Sequence, residues 1–207
     1  MSGGPSPVRS VTVTIDDVMY FGTYYVQNSV VYVQSEFGSR TTQIEGSPAR
    51  AIAKLQMTVD SDLRATAYYE SGLAVVAWSL NLRVHNVSIR ADNVRAGETN
   101  TDPANHLPIE DQLAILVAGR EAAHIFDAQA HPSTSHTDME RQFELLNGRP
   151  EQEQFALIHE AHERARRRLI EHKPKVALLA ERLVAAALNV DDSEFLRLMQ
   201  SHPIANV

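Results

Sequence analysis

The sequence predicts an α+β protein in which helix dominates and a small antiparallel β-meander comes first. Three observations carry that expectation. Residues 8–44 turn rich in β-favouring residues, with strict alternation over Val11–Ile15, and are broken by turns at regular intervals. Residues 64–80 carry apolar side chains at helical spacing over a broad stripe. From residue 109 onward, helix-period segments alternate with Pro, Gly and Asp/Ser signals.

The elements follow in order. Residues 1–7 read as a frayed tail. Val11–Ile15 alternates strictly, and Asp16-Asp17 is a turn. Met19–Val26, Val30–Gln34 and Arg40–Ile44 are the next three strands. Turns at Gln27-Asn28-Ser29 and Phe37-Gly38-Ser39 separate them. Four short strands need a cover over one face. Gly46-Ser47-Pro48 breaks the pattern and caps a helix from Ala49 to about Val59, the natural cover. Residues 1–58 are thus expected to form a meander-plus-helix module, and 59–207 a helical domain.

In that domain, Asp60-Ser61-Asp62 offers a fresh cap for a helix running to about residue 80, and Asn81 ends it. Leu82–Ile89 alternates as a strand. Residues 90–103 are polar and loop-like, with a short strand near Gly97-Glu98-Thr99. Helices are expected at Ile109–Phe126, Asp138–Leu146, Glu151–His172, Pro174–Leu188 and Glu194–Gln200. Loops at Ala128–Ser135 and Gly148-Arg149-Pro150 divide the middle ones. Ser135 or Thr137 caps the second and Asp191-Asp192-Ser193 the last.

Composition narrows the function classes. At 43% hydrophobic and 22% charged, 207 residues can bury a core. A net charge of −7 disfavours nucleic acid and anionic membrane as partners. There is no cysteine, which excludes disulfides and thiolate zinc sites and suits a cytoplasmic home. No signal peptide and no membrane-spanning run is expected. The basic run Arg164–Arg168 reads as a solvated helix face paired with Glu160, Glu163 and Glu171. Within the 64–80 helix, Glu70 stands out, because a buried carboxylate is costly unless paired or protonated.

Around that glutamate the sequence resembles a known family. Ala67-Tyr68-Tyr69-Glu70-Ser71-Gly72-Leu73-Ala74-Val75-Val76 is similar to the active-site helix of the FtsH-type zinc metallopeptidases, A-x-H-E-A-G-H-A-x-V. Arg83–Ile89 resembles the strand after that helix. Val117–Ala123 with Ile125-Phe126 resembles L-x-G-R-x-A-E-x-x-F. Ser135-His136-Thr137-Asp138 resembles the S-x-x-D start of the helix that carries the third zinc ligand. Ala161–Ile170 resembles A-Y-x-R-A-x-x-L-L. The likeness covers about residues 60–200 and leaves out the first 58.

The resemblance implies a fold and a damaged site. In H-E-x-x-H, two His at i and i+4 share a helix face and bind zinc, and the Glu polarises the zinc-bound water. Tyr69 and Leu73 stand at the His positions, Glu70 at the general base, and Asp138 at the third ligand. A leucine cannot ligate, and a phenol with pKa near 10 is a poor ligand at neutral pH. Glu70 is then a vestigial base or a paired structural carboxylate, and Asp138 a vestigial ligand or a helix cap. A relocated metal site would draw on His124, His131 and His136 near Asp138.

The expected function is a pseudopeptidase that binds a protein or peptide partner, with no cofactor. One alternative is an active zinc endopeptidase with atypical ligands. Another is a structural interaction protein that uses the β-meander. No P-loop is present, so an ATPase module is not expected. A homo-oligomer is compatible with the chain, although the rings of FtsH-type enzymes owe much of their symmetry to that module.

Overall fold

A computed structural model describes residues 6–15, 18–35, 38–43, 48–90, 97–128, 136–185 and 189–201. The described residues up to Ser61 form one compact unit, and those from Asp62 onward form another. The fold is α+β and mainly helical, with a β-meander at its front.

In the first unit, β1 (Arg9–Ile15), β2 (Val18–Gln27), β3 (Val30–Ser35) and β4 (Gly38–Gln43) make one antiparallel sheet in sequence order. In register, Ile15 faces Val18, Gln27 faces Val30, and Ser35 faces Gly38, and Asn28-Ser29 is the two-residue turn between β2 and β3. Asn28 and Ser29 sit at φ 50° and 60°. Two left-handed residues in a row match the strand twist and fix the register of β2 on β3. That register sets Tyr25 opposite Tyr32, and their rings stack at 4.7 Å. Ser6, expected to be frayed, is tied in. Its N–H donates to Val26 O at 2.8 Å, and its Oγ accepts from Val26 N at 2.7 Å. The turn residues Asp16, Asp17 and Phe37, the cap at Gly46-Ser47 and the side chains of 48–61, with the expected cover of the sheet, lie outside the described residues.

The expected break at Asp60-Ser61-Asp62 does not occur; α1 runs unbroken over Pro48–Ser79. Asp and Ser cost a helix interior only a few tenths of a kcal/mol each, roughly, and neither is a Gly or Pro breaker. Every residue from Ala65 to Ala77 is buried, which fits a helix apolar on nearly all sides. Asn81, at φ 63°, closes the helix. Leu82 N bonds Ala77 O and Asn81 N bonds Trp78 O, the paired bonds of a Schellman cap.

β5 (Val84–Ser88) then pairs antiparallel with β6 (Glu98–Thr101) on one side and β7 (Asn189–Asp191) on the other. The helices are α2 (Ile109–Ile125), α3 (His136–Leu146), α4 (Glu151–Glu171), α5 (Lys173–Ala185) and α6 (Asp192–Ser201). The residues expected to finish α5 (186–188) and most of the loop before α3 lie outside the described residues. α1 meets α2 where Gly72 faces Ala118 and Ala122. α2 packs along α4, and the arginine run of α4 does more there than the sequence suggested. Arg164 bonds Glu160 as expected but also Asp111 of α2. Arg166 reaches the buried Glu121 of α2 at 2.9 Å, and His162 approaches the same carboxylate at 2.8 Å. Arg168 donates to Ser79 O at 3.1 Å. The run therefore clamps α4 onto its neighbours. Asp191 caps α6, accepting from Glu194 N at 2.9 Å and Ser193 Oγ at 2.8 Å. Among the described residues no helix is long and apolar enough to cross a membrane.

Candidate functional site

A cleft of about 860 Å³ opens in the second unit. α1 supplies Glu70 and Leu73 to its wall, α2 supplies Ile115 and Leu116, and α3 supplies Asp138 and Glu144. β6 and the loop after it form the remaining side. Three of the four residues singled out in the sequence thus line one cavity, and the fourth, Tyr69, bonds directly to one of them.

Tyr69 is 2% exposed. Its hydroxyl donates to Asp138 Oδ2 at 2.6 Å. The two residues come from α1 and α3, so the bond is tertiary and not a local cap. Burial raises the phenol's pKa above its ordinary value, and the Asp138 charge and hydrogen bond raise it further. Glu70 adds to the rise and Arg120 opposes it. The phenol therefore keeps its proton at neutral pH. α2 makes room for the ring through Gly119, where an added Cβ would fall 2.6 Å from a ring carbon. No real Cβ sits that close, so the ring's seat depends on glycine there.

Glu70 is 3% exposed. Its Oε2 accepts from Thr99 Oγ1 at 2.6 Å, and the same hydroxyl lies 3.1 Å from the Glu70 carbonyl oxygen. This ties the α1 carboxylate to β6. Gly97 lies against the same side chain, and a Cβ there would come 2.8 Å from Glu70 Cγ. Leu73, one helical turn after Tyr69, is 8% exposed at the cleft wall and has no donor atom.

Thr99 was expected only in a short strand, and Gly119 and Arg120 only as the G-R of the L-x-G-R-x-A-E-x-x-F likeness; none was given a role at the site. For Thr99 the usable signal is the alternation of Glu98, Thr99, Asn100 and Thr101, which turns Thr99 away from Glu98. Of the histidines weighed for a relocated metal site, His124 is exposed on α2. The side chains of His131 and His136 lie outside the described residues.

Chemically, the described groups offer a buried carboxylate held by a hydroxyl, a protonated phenol held by a second carboxylate, and a leucine. No family model matches the chain, and no curated protein matches it in sequence.

Proposed function

We propose that this chain is a peptidase-like protein of FtsH type that binds a peptide or protein segment without cutting it. The observation that supports this is the Tyr69–Asp138 hydrogen bond. The resemblance assigns these two positions to the first and third zinc ligands. Here a phenol proton bridges to the carboxylate that would face an ion.

The residues present do not suit zinc. A catalytic site needs three protein donors and an open position for water. Leu73 offers none, and Tyr69 is held as the neutral phenol by burial and by Asp138. Without a Lewis acid to lower the pKa of a bound water, Glu70 would lack the activated nucleophile on which zinc peptidases depend. What remains is a cleft beside β6, the outer strand of its sheet among the described residues. An extended segment can add to such an edge through main-chain hydrogen bonds. The same reading puts the protein in the cytoplasm, where a chain without cysteine lacks nothing.

The test combines metal content with turnover. The purified protein is incubated with zinc, passed through gel filtration, and assayed for bound metal and for cleavage of labelled unfolded casein. The expected result is no stoichiometric zinc, no cleavage, and retention of the labelled casein. Stoichiometric zinc together with cleavage would overturn the proposal in favour of an active endopeptidase with atypical ligands.

A further inference from the structure

We infer that the open face of the β-meander packs against the same face of a second copy of this chain. Register sorts the four strands into two faces. Val31 is fully buried and marks the face that packs inward. Tyr25, Tyr32 and Thr41 lie one step off its row and line up across β2, β3 and β4. Thr23 faces Gln34 in the next row of the same face. Thr23, Gln34 and Thr41 are exposed, and the stacked rings of Tyr25 and Tyr32 are half-buried among them.

Anatomy, charge and size select the occupant. The tyrosine pair stands on the two central strands, with hydroxyl and amide side chains around it. A protein interface is built that way, with tyrosine at its centre, a polar rim and few charges. Net charge decides which protein. At −7, two copies repel wherever their acidic surfaces meet. The four strands hold two charged residues, Arg9 and Arg40, which pair with Tyr24 and Val33 in the register of the other face. On the Tyr25–Tyr32 face, then, like meets like without a facing charge. A two-fold axis through the middle of the sheet sets the tyrosine pairs of both copies together, and Thr and Tyr suit two sheets packed face to face. Four strands of six to ten residues, about 4.8 Å apart and rising about 3.3 Å per residue, span roughly 450 Å² per copy. Two such footprints reach the low end of specific interfaces, so the dimer is a reversible one.

Sedimentation velocity on the whole protein tests this over a series from about 1 µM to about 200 µM. The mass is expected to rise from one chain to two. The dimer should tighten as salt rises, because salt screens the net charge and no ion pair holds the face. Thr23→Glu with Thr41→Glu sets like charges on both meeting faces and should weaken the dimer at least about tenfold. Gln152→Glu with Gln200→Glu adds equal charge at exposed positions of α4 and α6 and should weaken it less than about twofold. Thr23→Lys with Thr41→Lys, mixed with the Thr23→Glu, Thr41→Glu protein, should restore a mixed dimer, which a misfolded variant could not give. A monomer at every concentration would overturn the inference. So would a dimer indifferent to the face variant, an equal loss in both Glu pairs, or a Lys and Glu mixture that stays monomeric.

Discussion

Tyr69 and Asp138 share a proton-bearing hydrogen bond of 2.6 Å across 69 positions of sequence. The bond joins α1 to α3 at the cleft and satisfies the hydroxyl of the buried Tyr69. A side-chain hydrogen bond from a buried hydroxyl to a carboxyl group contributes on the order of 1–3 kcal/mol net, and Tyr69→Phe removes it.

Tyr69→Phe is therefore expected to lower unfolding stability by about 1–3 kcal/mol, read from urea denaturation at pH 7. The phenol also gives the wild type a particular alkaline response. Its pKa is raised in the folded state, so the unfolded chain loses that proton first, near 10. The contribution is fully present below pH 10 and is lost as pH rises beyond it toward the folded value. Absorbance at 295 nm should show Tyr69 ionising only with unfolding, while Tyr69→Phe loses the steepened alkaline drop. A wild-type protein whose six tyrosines all titrate freely while folded would contradict the buried pairing.

Placing histidines at positions 69 and 73 is the second prediction. Leu73 and Asp138 line the same cleft, and Tyr69 already reaches Asp138. Tyr69→His with Leu73→His should place two imidazoles at i and i+4 beside that carboxylate. The double variant is expected to take up one zinc. The metal should then stabilise it by about 4 kcal/mol at a thousandfold excess over its dissociation constant. A folded double variant that ignores zinc, seen by calorimetry and metal analysis, would overturn the proposed correspondence of these positions to zinc ligands.

Much of the fold could be read from local pattern. The meander was legible because its runs are rich in β-favouring residues with turn signals between them, although Gly38 and Ser39, expected in the third turn, belong to β4. The helices after residue 109 were legible from periodicity, within a few residues at each end. The continuity of α1 was not, because Asp-Ser-Asp is a good cap wherever a helix starts and a mild cost wherever one continues. β7 was missed because three residues hold no alternation; Val190 is a strand residue by virtue of β5 beside it. The site divides in the same way. Glu70 stood out as a charge in an apolar helix. Its partner Thr99, and Gly119 behind Tyr69, are tertiary relationships that no local period encodes.

Gly119 yields a third prediction. A Cβ at this position would sit 2.6 Å from the Tyr69 ring, and the ring is held at its far end by Asp138. Gly119→Ala must move the ring, the helix or both, and overpacking of this kind costs about 1–3 kcal/mol. The cost should shrink when the ring is gone. In a double-mutant cycle with Tyr69→Leu, a coupling of at least about 0.5 kcal/mol is expected. Strict additivity of the two changes would mean that the close approach carries no strain.

The last prediction concerns acid. His172 is 7% exposed, and its ring meets the edge of Trp78 at 5.3 Å between centroids. Its Nδ1 has no hydrogen-bond partner among the described residues. Burial lowers its pKa; Glu171 counters this, while Lys175 and Arg168 add to the lowering. The unfolded chain therefore takes up the proton first, near 6.5. The stability linked to the neutral ring is fully present above that pH. It is lost as pH falls from about 6.5 toward the folded value, because only the unfolded state gains a proton there. The urea midpoint should drop between pH 8 and pH 5, and His172→Phe should flatten part of that drop. Trp78 is the single tryptophan, so its emission reports on this contact directly. The wild type should hold its emission as pH falls through 6.5 and lose it only near the lower folded pKa, where a charged imidazole forms beside the indole. Quenching centred on 6.5 would mean that His172 titrates as if in water and that its burial has no electrostatic consequence.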